Sequence, residues 1–385
     1  MNIRDTYWRI AQRLRSRIRR GSGDLSNHQV DVDSGHAIAE QFDKLVAEAV
    51  ERGADSDLIA TALDQATQTA ADVLTQRLLA DAPRMLREHR NFRHGFEQRL
   101  HQRWGPALDL YECVRICCLE AGEDFHERQS QQAGGDDLKH SALTLLHARA
   151  CMVASEVQGL LSSGHAAGAQ ARWRTLHELA VIAFVLGSND REISERFLLH
   201  RNVEQYKDAL QYQQYCEALG YEPFSHEKID EIRQQHDEVV ARYGPPYKND
   251  WGWAARLFPA NQQASFSKLE QLAGLEHLKP WFRLSSHGIH SGATGAVHIR
   301  DFHGGGNTML AGPSNAGLAD PGNGALISLH QVTTALLLYG GLNGPQPQDL
   351  LTLKAIANLL DQAQQTFLEI HQALEAEEAA IRGAG

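Results

Sequence analysis

"ARWRTLHELAVIAFVLG", residues 171–187, is the stretch that decides the fold class of this 385-residue chain. It contains no proline and ends on glycine, and its apolar residues follow one another through several helical turns, so it predicts a helix from Gln170 to Gly187. Its most apolar part, Leu179–Gly187, is far shorter than the roughly 18–20 residues that a membrane span needs. No longer apolar run occurs elsewhere, so we expect a protein with no membrane span.

The segments on both sides of this stretch also show helical periodicity. A long helix is predicted from Ser141 to Ser163, and another from Arg191 to Gly220 with a kink. Gly288–Gly324 is rich in glycine and irregular, and the only strand signal is a short hairpin near Met309–Ala316. Further helices are predicted over residues 1–20, 36–52, from 58 onwards, from 83 onwards, 106–128, 221–244, 262–273, 275–290, 325–339 and 347–382.

These patterns predict an all-α protein in which a helical bundle carries a Gly-rich loop before its last two helices. The polar segment Gln129–His140 reads as a linker. It divides the chain into an N-terminal helical region, residues 1–135, and the bundle, residues 138–385.

Composition narrows the class of protein. The net charge of −11 argues against a chain that binds nucleic acid over its whole surface, so any anion site must be local. The cysteines are odd in number and none lies in a CxxC pair, which predicts buried free thiols and a reducing, cytoplasmic location. They are Cys113, Cys117, Cys118, Cys151 and Cys216.

Two basic segments each leave two interpretations open. The first 20 residues carry seven arginines beside the apolar stripe Ile3, Tyr7, Ile10, Leu14 and Ile18; this suits a helix that docks on its own protein, or an arm that contacts RNA or anionic lipid. Residues 84–104 interleave arginines with aromatic side chains, which suits single-stranded nucleic acid or a half-buried helix whose charged ends stay in water. The arginines of that segment are Arg84, Arg87, Arg90, Arg93, Arg99 and Arg103.

The central stretch and the helix after it resemble a bacterial family known as domain of unknown function 5677. Arg174, Thr175, Leu176 and Glu178 match its "R-T-L-x-E" motif. Arg196, Phe197, Tyr206 and Lys207 match the following helix, and Ser286 with His287 or His290 matches a later Ser/His segment. The resemblance covers roughly residues 138–340 and implies no activity, because the family has none assigned.

More distantly, the layout is similar to the HEPN superfamily, whose helical bundles are frequently metal-independent ribonucleases of toxin and phage-defence systems. Their signature, Arg followed after four to six residues by His, is matched by Arg283 and His290. The same spacing also joins Arg84 to His89, and the position of Arg283 at a helix end before a Gly-rich loop favours it. The resemblance implies an RNA substrate, a homodimer and a neutralising or effector protein partner.

RNA cleavage through the 2′-hydroxyl needs a proton acceptor, a proton donor and a cation at the phosphate. We predict that His290, or His287, exchanges the protons and that Arg283 contacts the phosphate. Arg174 and Glu178 lie one helical turn apart; they predict either an ion pair that fixes helix packing or a pair that orients His290 or Arg283. His177, between them, is an alternative member of that group.

Two other interpretations of the histidine-rich stretch stay open. His287, His290, His298 and His303 fall within 17 residues and suit a metal-dependent hydrolase, although their spacing is not a standard zinc pattern. The stretch also suits a polar bend that caps helix ends. The sequence therefore predicts an endoribonuclease without cofactor or metal, with a non-catalytic helical binding protein or a His-ligated metal hydrolase as alternatives.

Overall fold

The computed structural model describes residues 47, 56–133, 137–289, 311–339, 341 and 344–383. The predicted Arg-rich helix, nearly all of the predicted helix 36–52, and His290, His298 and His303 lie outside these residues. The described part of the chain contains helices and no strand, so the all-α prediction is confirmed. Its α-helices are α1 (Ser56–Ala133), α2 (Leu138–Ser162), α3 (Ala166–Ser188), α4 (Arg191–Leu199), α5 (Arg201–Tyr215), α6 (His226–Tyr243), α7 (Phe266–Ala273), α8 (Lys279–Ile289), α9 (Ala319–Tyr339) and α10 (Pro347–Gly383).

The chain divides into two compact units, residues 1–92 and 93–385, and every site described below lies in the second unit. Residues 93–133 of α1 pack on that unit's helices. The Tyr111 hydroxyl donates a hydrogen bond to the Ala154 carbonyl at 2.9 Å, and the Trp104 ring lies 5.9 Å from that of Phe367. The predicted regions 1–135 and 138–385 therefore share one core through residues 93–133.

Helix α3, the quoted stretch, lies at the centre of the second unit. It packs against α2, α9, α8 and α7. Trp173 and Leu176 are fully buried on it, and the Trp173 indole donates to the Ser328 hydroxyl of α9 at 3.1 Å. The contacts explain why this stretch carries so few charges after Glu178, because a helix that is covered on several sides needs apolar residues around most of its circumference.

Two expectations about helix boundaries were wrong. A single helix, α1, runs through Pro83 and Pro106 where breaks were expected. On either side of Pro106, Trp104 and Ala107 are fully buried, and burying such an apolar stripe offsets the roughly 3 kcal/mol that an interior proline costs. Helix α9 begins at Ala319, six residues earlier than expected.

Close packing explains the early start of α9. A Cβ atom at Gly322 would lie 2.7 Å from the Phe367 ring, and one at Gly324 would lie 2.9 Å from Trp173 Nε1. Because these glycines have no side chain, α9 can pack closely against its neighbours while it remains helical. From the sequence alone, the same glycines were assigned to an irregular segment. The expected hairpin near Met309–Ala316 is absent from its described residues, 311–316.

Among the described residues, none of the helices combines the length and the apolar character of a membrane span. All five cysteines are free thiols. Burial is confirmed for Cys118, Cys151 and Cys216, whereas Cys117 is half-buried and Cys113 is exposed.

Candidate functional site

The family-like motif of α3 faces α7 and α8, and its histidine lies at the centre of this contact. His177 is fully buried, and its Nε2 lies 3.0 Å from Oε1 of Glu270 on α7. The two residues are 93 positions apart in the chain, and nothing in the local pattern around Glu270 signals a buried carboxylate. The sequence therefore pointed to His177 only as an alternative and missed Glu270.

Aromatic rings enclose the imidazole of His177. The ring centroids of Trp173, Phe266 and Phe282 lie 5.8, 5.9 and 5.3 Å from it. Burial lowers the pKa of His177, while the hydrogen bond with Glu270 acts in the opposite direction. A neutral ring then donates its Nε2 proton to the carboxylate and keeps Nδ1, which is buried and has no hydrogen-bond partner among the described residues, as an unused acceptor.

Arg174 makes a contact that was not expected from its spacing to Glu178. Its guanidinium lies 4.2 Å above the ring of Phe282 on α8, and the ion pairs of the described residues do not include one with Glu178. Glu178 is half-buried, and burial raises the pKa of its carboxyl group while the charge of Arg174 lowers it. The expected ion pair is thus replaced by a cation–π contact, with Glu178 near enough to interact electrostatically.

Helix α8 presents the predicted phosphate ligand. Arg283 directly follows Phe282 and is exposed, so it is accessible to a polyanion. The hydroxyl groups of Ser285 and Ser286 both donate to the Phe282 carbonyl, at 2.7 and 3.1 Å. The serines of the Ser/His segment therefore bond within their own helix, as Ser commonly does.

The described part of α8 ends at Ile289, immediately before His290. The side chain of His287 also lies outside the described residues. The structure therefore places Arg174 against α8 through Phe282, with Glu178 near Arg174 and Arg283 exposed on α8, while the roles given to Arg283, His287 and His290 stay predictions. Within the part of the chain that the structure describes, no three metal-binding side chains are grouped, and the alternative of His287, His290, His298 and His303 falls outside it.

The second family-like motif serves a different contact. Arg196 on α4 is 5% exposed, and its Nε donates to the Trp253 carbonyl at 2.9 Å. Lys207 pairs with Asp250 at 2.7 Å, and the ring of Tyr206 lies 4.6 Å from that of His236. These residues hold α4 and α5 against α6 and the loop that follows it.

Several arginines of the segment 84–104 have carboxylate neighbours. Arg103 binds Glu377 of α10 at 2.7 Å, and Arg93 lies 3.7 Å from Glu97. Arg84 lies 3.7 Å from Glu88. Arg103 thereby contacts a distant helix, whereas Arg84 and Arg93 lie near carboxylates of their own helix and stay exposed, so both interpretations of this segment stay open.

A family of unknown function, DUF5677, matches residues 140–307 of this chain. The match includes both motifs, Arg174–Glu178 and Arg196–Lys207, as well as Arg283 and His290. The predicted resemblance to this family is confirmed over that range, while the more distant resemblance to the HEPN superfamily stays a prediction. No curated protein and no solved structure matches the chain.

Proposed function

We propose that this chain, part of which matches a family without an assigned activity, is a metal-independent endoribonuclease. Its active face is the contact between α3 and α8. One observation carries the proposal: Arg174 stacks on Phe282, and the next residue, Arg283, is exposed. Arg174 of α3 thus contacts α8 at the position directly before Arg283, although the chain as a whole is acidic.

A pair of arginines suits a phosphodiester. The guanidinium group keeps its charge at every physiological pH and its planar fork matches two phosphate oxygens. Arg283 contacts the phosphate in this proposal. Arg174, held over an aromatic ring, strengthens the local positive potential and positions α8.

The chemistry requires two proton transfers. The 2′-hydroxyl loses its proton as its oxygen bonds to phosphorus, and the 5′-oxygen takes up a proton as its bond to phosphorus breaks. The products are a 2′,3′-cyclic phosphate and a free 5′-hydroxyl. His290 is proposed to exchange these protons because imidazole titrates near neutral pH. Glu178, with its raised pKa, is proposed as the carboxyl group that orients His290.

The buried pair of His177 and Glu270 supports this face without touching RNA. Both side chains are closed off from solvent, so they cannot reach a phosphate. Their hydrogen bond at 3.0 Å joins α3 to α7. It thereby holds in place the two helices against which Phe282 packs, one of which carries Arg174. We therefore regard His177 as a positioning residue.

The test is cleavage of a labelled single-stranded RNA by the full chain in excess EDTA. We expect cleavage with a cyclic phosphate terminus, and its loss in His290→Ala and Arg283→Ala. Arg233→Ala, which removes an exposed arginine of α6 that pairs with Asp230, is the matched control. Cleavage that disappears in EDTA and returns with Zn²⁺ would support the metal-hydrolase alternative, and intact RNA under all conditions would support a non-catalytic binding protein.

A further inference from the structure

A cleft of about 650 Å³ lies between α4 and the end of α6. Its size falls in the range of pockets that bind small molecules. Three of its lining side chains are cationic, two are carboxylates and one is a tyrosine. They are Arg191, Arg196, Arg242, Glu192, Glu195 and Tyr243.

Arg196 is held rigidly at the floor of this cleft. Its Cζ lies 4.5 Å from the ring of Tyr243 and 5.2 Å from that of Tyr247. Its Nε is bound to the Trp253 carbonyl, in a loop so tight that a Cβ at Gly252 would lie 2.2 Å from the Tyr247 carbonyl oxygen. The guanidinium plane therefore has little freedom to rotate.

The two terminal nitrogens of Arg196 form no hydrogen bond with any described residue. The nearest carboxylate is that of Glu192, at 3.7 Å, which is beyond hydrogen-bonding distance. The other oxygen of Glu192 lies 2.5 Å from Arg256, and Glu195 binds Arg242 at 2.7 Å. Both carboxylates of the cleft are thus engaged by other arginines, while Arg196, a residue that is 5% exposed, keeps its terminal donors unpaired among the described residues.

A second unpaired group lies in the same cleft. The hydroxyl oxygen of Tyr243 is buried and has no hydrogen-bond partner among the described residues. Burial raises the pKa of Tyr243, so the group retains its proton and can donate it. A buried hydroxyl without a partner among the described residues is available to donate to a bound group.

We propose that this cleft is a binding site for the oxyanion of a small ligand, a phosphate or a carboxylate group. The terminal N–H groups of Arg196 bind two of its oxygens, and the Tyr243 hydroxyl donates a third hydrogen bond. Such a fork is the geometry in which arginine recognises planar or tetrahedral oxyanions. Glu192 limits the affinity because its carboxylate is the internal competitor nearest to Arg196. The site does not depend on the ribonuclease proposal.

The test is calorimetric titration of the full chain with inorganic phosphate and, separately, with acetate, at an ionic strength held constant with chloride. We expect saturable binding of at least one anion, and the tighter one identifies the ligand class. Tyr243→Phe keeps the ring over Arg196 and removes only the hydroxyl, so it should weaken binding about tenfold. Glu192→Gln removes the competitor and should tighten binding by a similar factor.

Glu231→Gln is the matched control for charge, because Glu231 pairs with Lys228 on the surface of α6 outside the cleft. It should leave the dissociation constant unchanged. Equal thermal midpoints for Tyr243→Phe and the natural chain would show that the fold is intact. The proposal is overturned if neither anion binds more than chloride does, or if Tyr243→Phe and Glu192→Gln both bind as the natural chain does.

Discussion

Two regions of this molecule bury charged side chains among aromatic rings, and they do so in opposite ways. Between α3 and α7, His177 Nε2 and Glu270 are hydrogen-bonded to each other at 3.0 Å and are closed to solvent. Between α4 and α6, Arg196 is almost as buried, but its terminal nitrogens have no hydrogen-bond partner in the described part of the chain and it lines an open cleft. The first arrangement stabilises a fold, whereas the second keeps hydrogen-bonding capacity for a ligand.

The largest expected effect on stability comes from removing Glu270 from its buried pair with His177. Glu270→Ala leaves the buried N–H of His177 without its acceptor and opens a cavity, and we expect it to lower the free energy of unfolding by about 3–4 kcal/mol. Urea unfolding at pH 7 measures this. The control is Glu231→Ala, which breaks the exposed pair with Lys228 and should cost less than about 1 kcal/mol. Similar costs for the two variants would show that the buried pair is not a structural element of the core.

A second buried histidine, His147, has no carboxylate partner, and it predicts a dependence of stability on pH that can be compared with the pair of His177 and Glu270. His147 is enclosed between α1, α2 and α9, and its Nε2 lies 3.2 Å from the Thr333 hydroxyl. That hydroxyl already donates to the Leu329 carbonyl, so a neutral His147 donates to it. Burial lowers the pKa of His147 from 6.5 to about 4.

Because the folded-state pKa lies below the unfolded one, the unfolded chain takes up this proton first as the pH falls. The stability that comes from burying a neutral His147 is fully present above about pH 6.5 and is lost towards pH 4. A pKa shift of this size corresponds to about 3 kcal/mol of unfolding free energy. Unfolding free energies at pH 7, 6, 5 and 4 should therefore fall more steeply in the natural chain than in His147→Gln. Parallel pH profiles would contradict the burial of a neutral imidazole at this position.

The smallest expected effect on stability comes from removing single tyrosine hydroxyls, and two of them can be compared. Tyr111 is fully buried and donates to the Ala154 carbonyl at 2.9 Å, so Tyr111→Phe should cost about 1 kcal/mol of stability. Tyr243→Phe removes a hydroxyl for which the described residues offer no partner and should change stability by less than about 0.5 kcal/mol. Thermal unfolding of both variants decides the matter. Equal losses would mean that the Tyr243 hydroxyl contributes to the fold, which would weaken the case for a ligand there.

The sequence correctly predicted those helices whose apolar periodicity and boundary residues can be read within a short stretch. Periodicity placed α2, α3 and α10 within a few residues of their observed ends, because amphipathic stripes and turn residues are read over short windows. It failed at Pro106 and at Gly322, where contacts with distant residues such as Phe367 determine what the backbone does. Long-range packing of this kind leaves no mark in a short window of sequence.

The same distinction applies to the sites. The spacing of Arg174 and Glu178 placed both on one helix, the family-like motifs selected Arg196, and the Arg-to-His spacing selected Arg283. The partners of Arg174, His177 and Arg196 could not be read from the sequence, because Phe282, Glu270 and Trp253 reach them through tertiary packing. A motif therefore marked the important side chains without saying whether each one stabilises, positions or binds.

The most direct test of the proposed function is the rate of RNA cleavage in excess EDTA under single-turnover conditions, for the natural chain, Arg283→Ala and Arg233→Ala. The proposal predicts that the natural chain leaves a 2′,3′-cyclic phosphate, that Arg283→Ala is slower by about 100-fold or more, and that Arg233→Ala is unchanged. Equal cleavage by the natural chain and Arg283→Ala, or intact RNA with all three proteins, would contradict it.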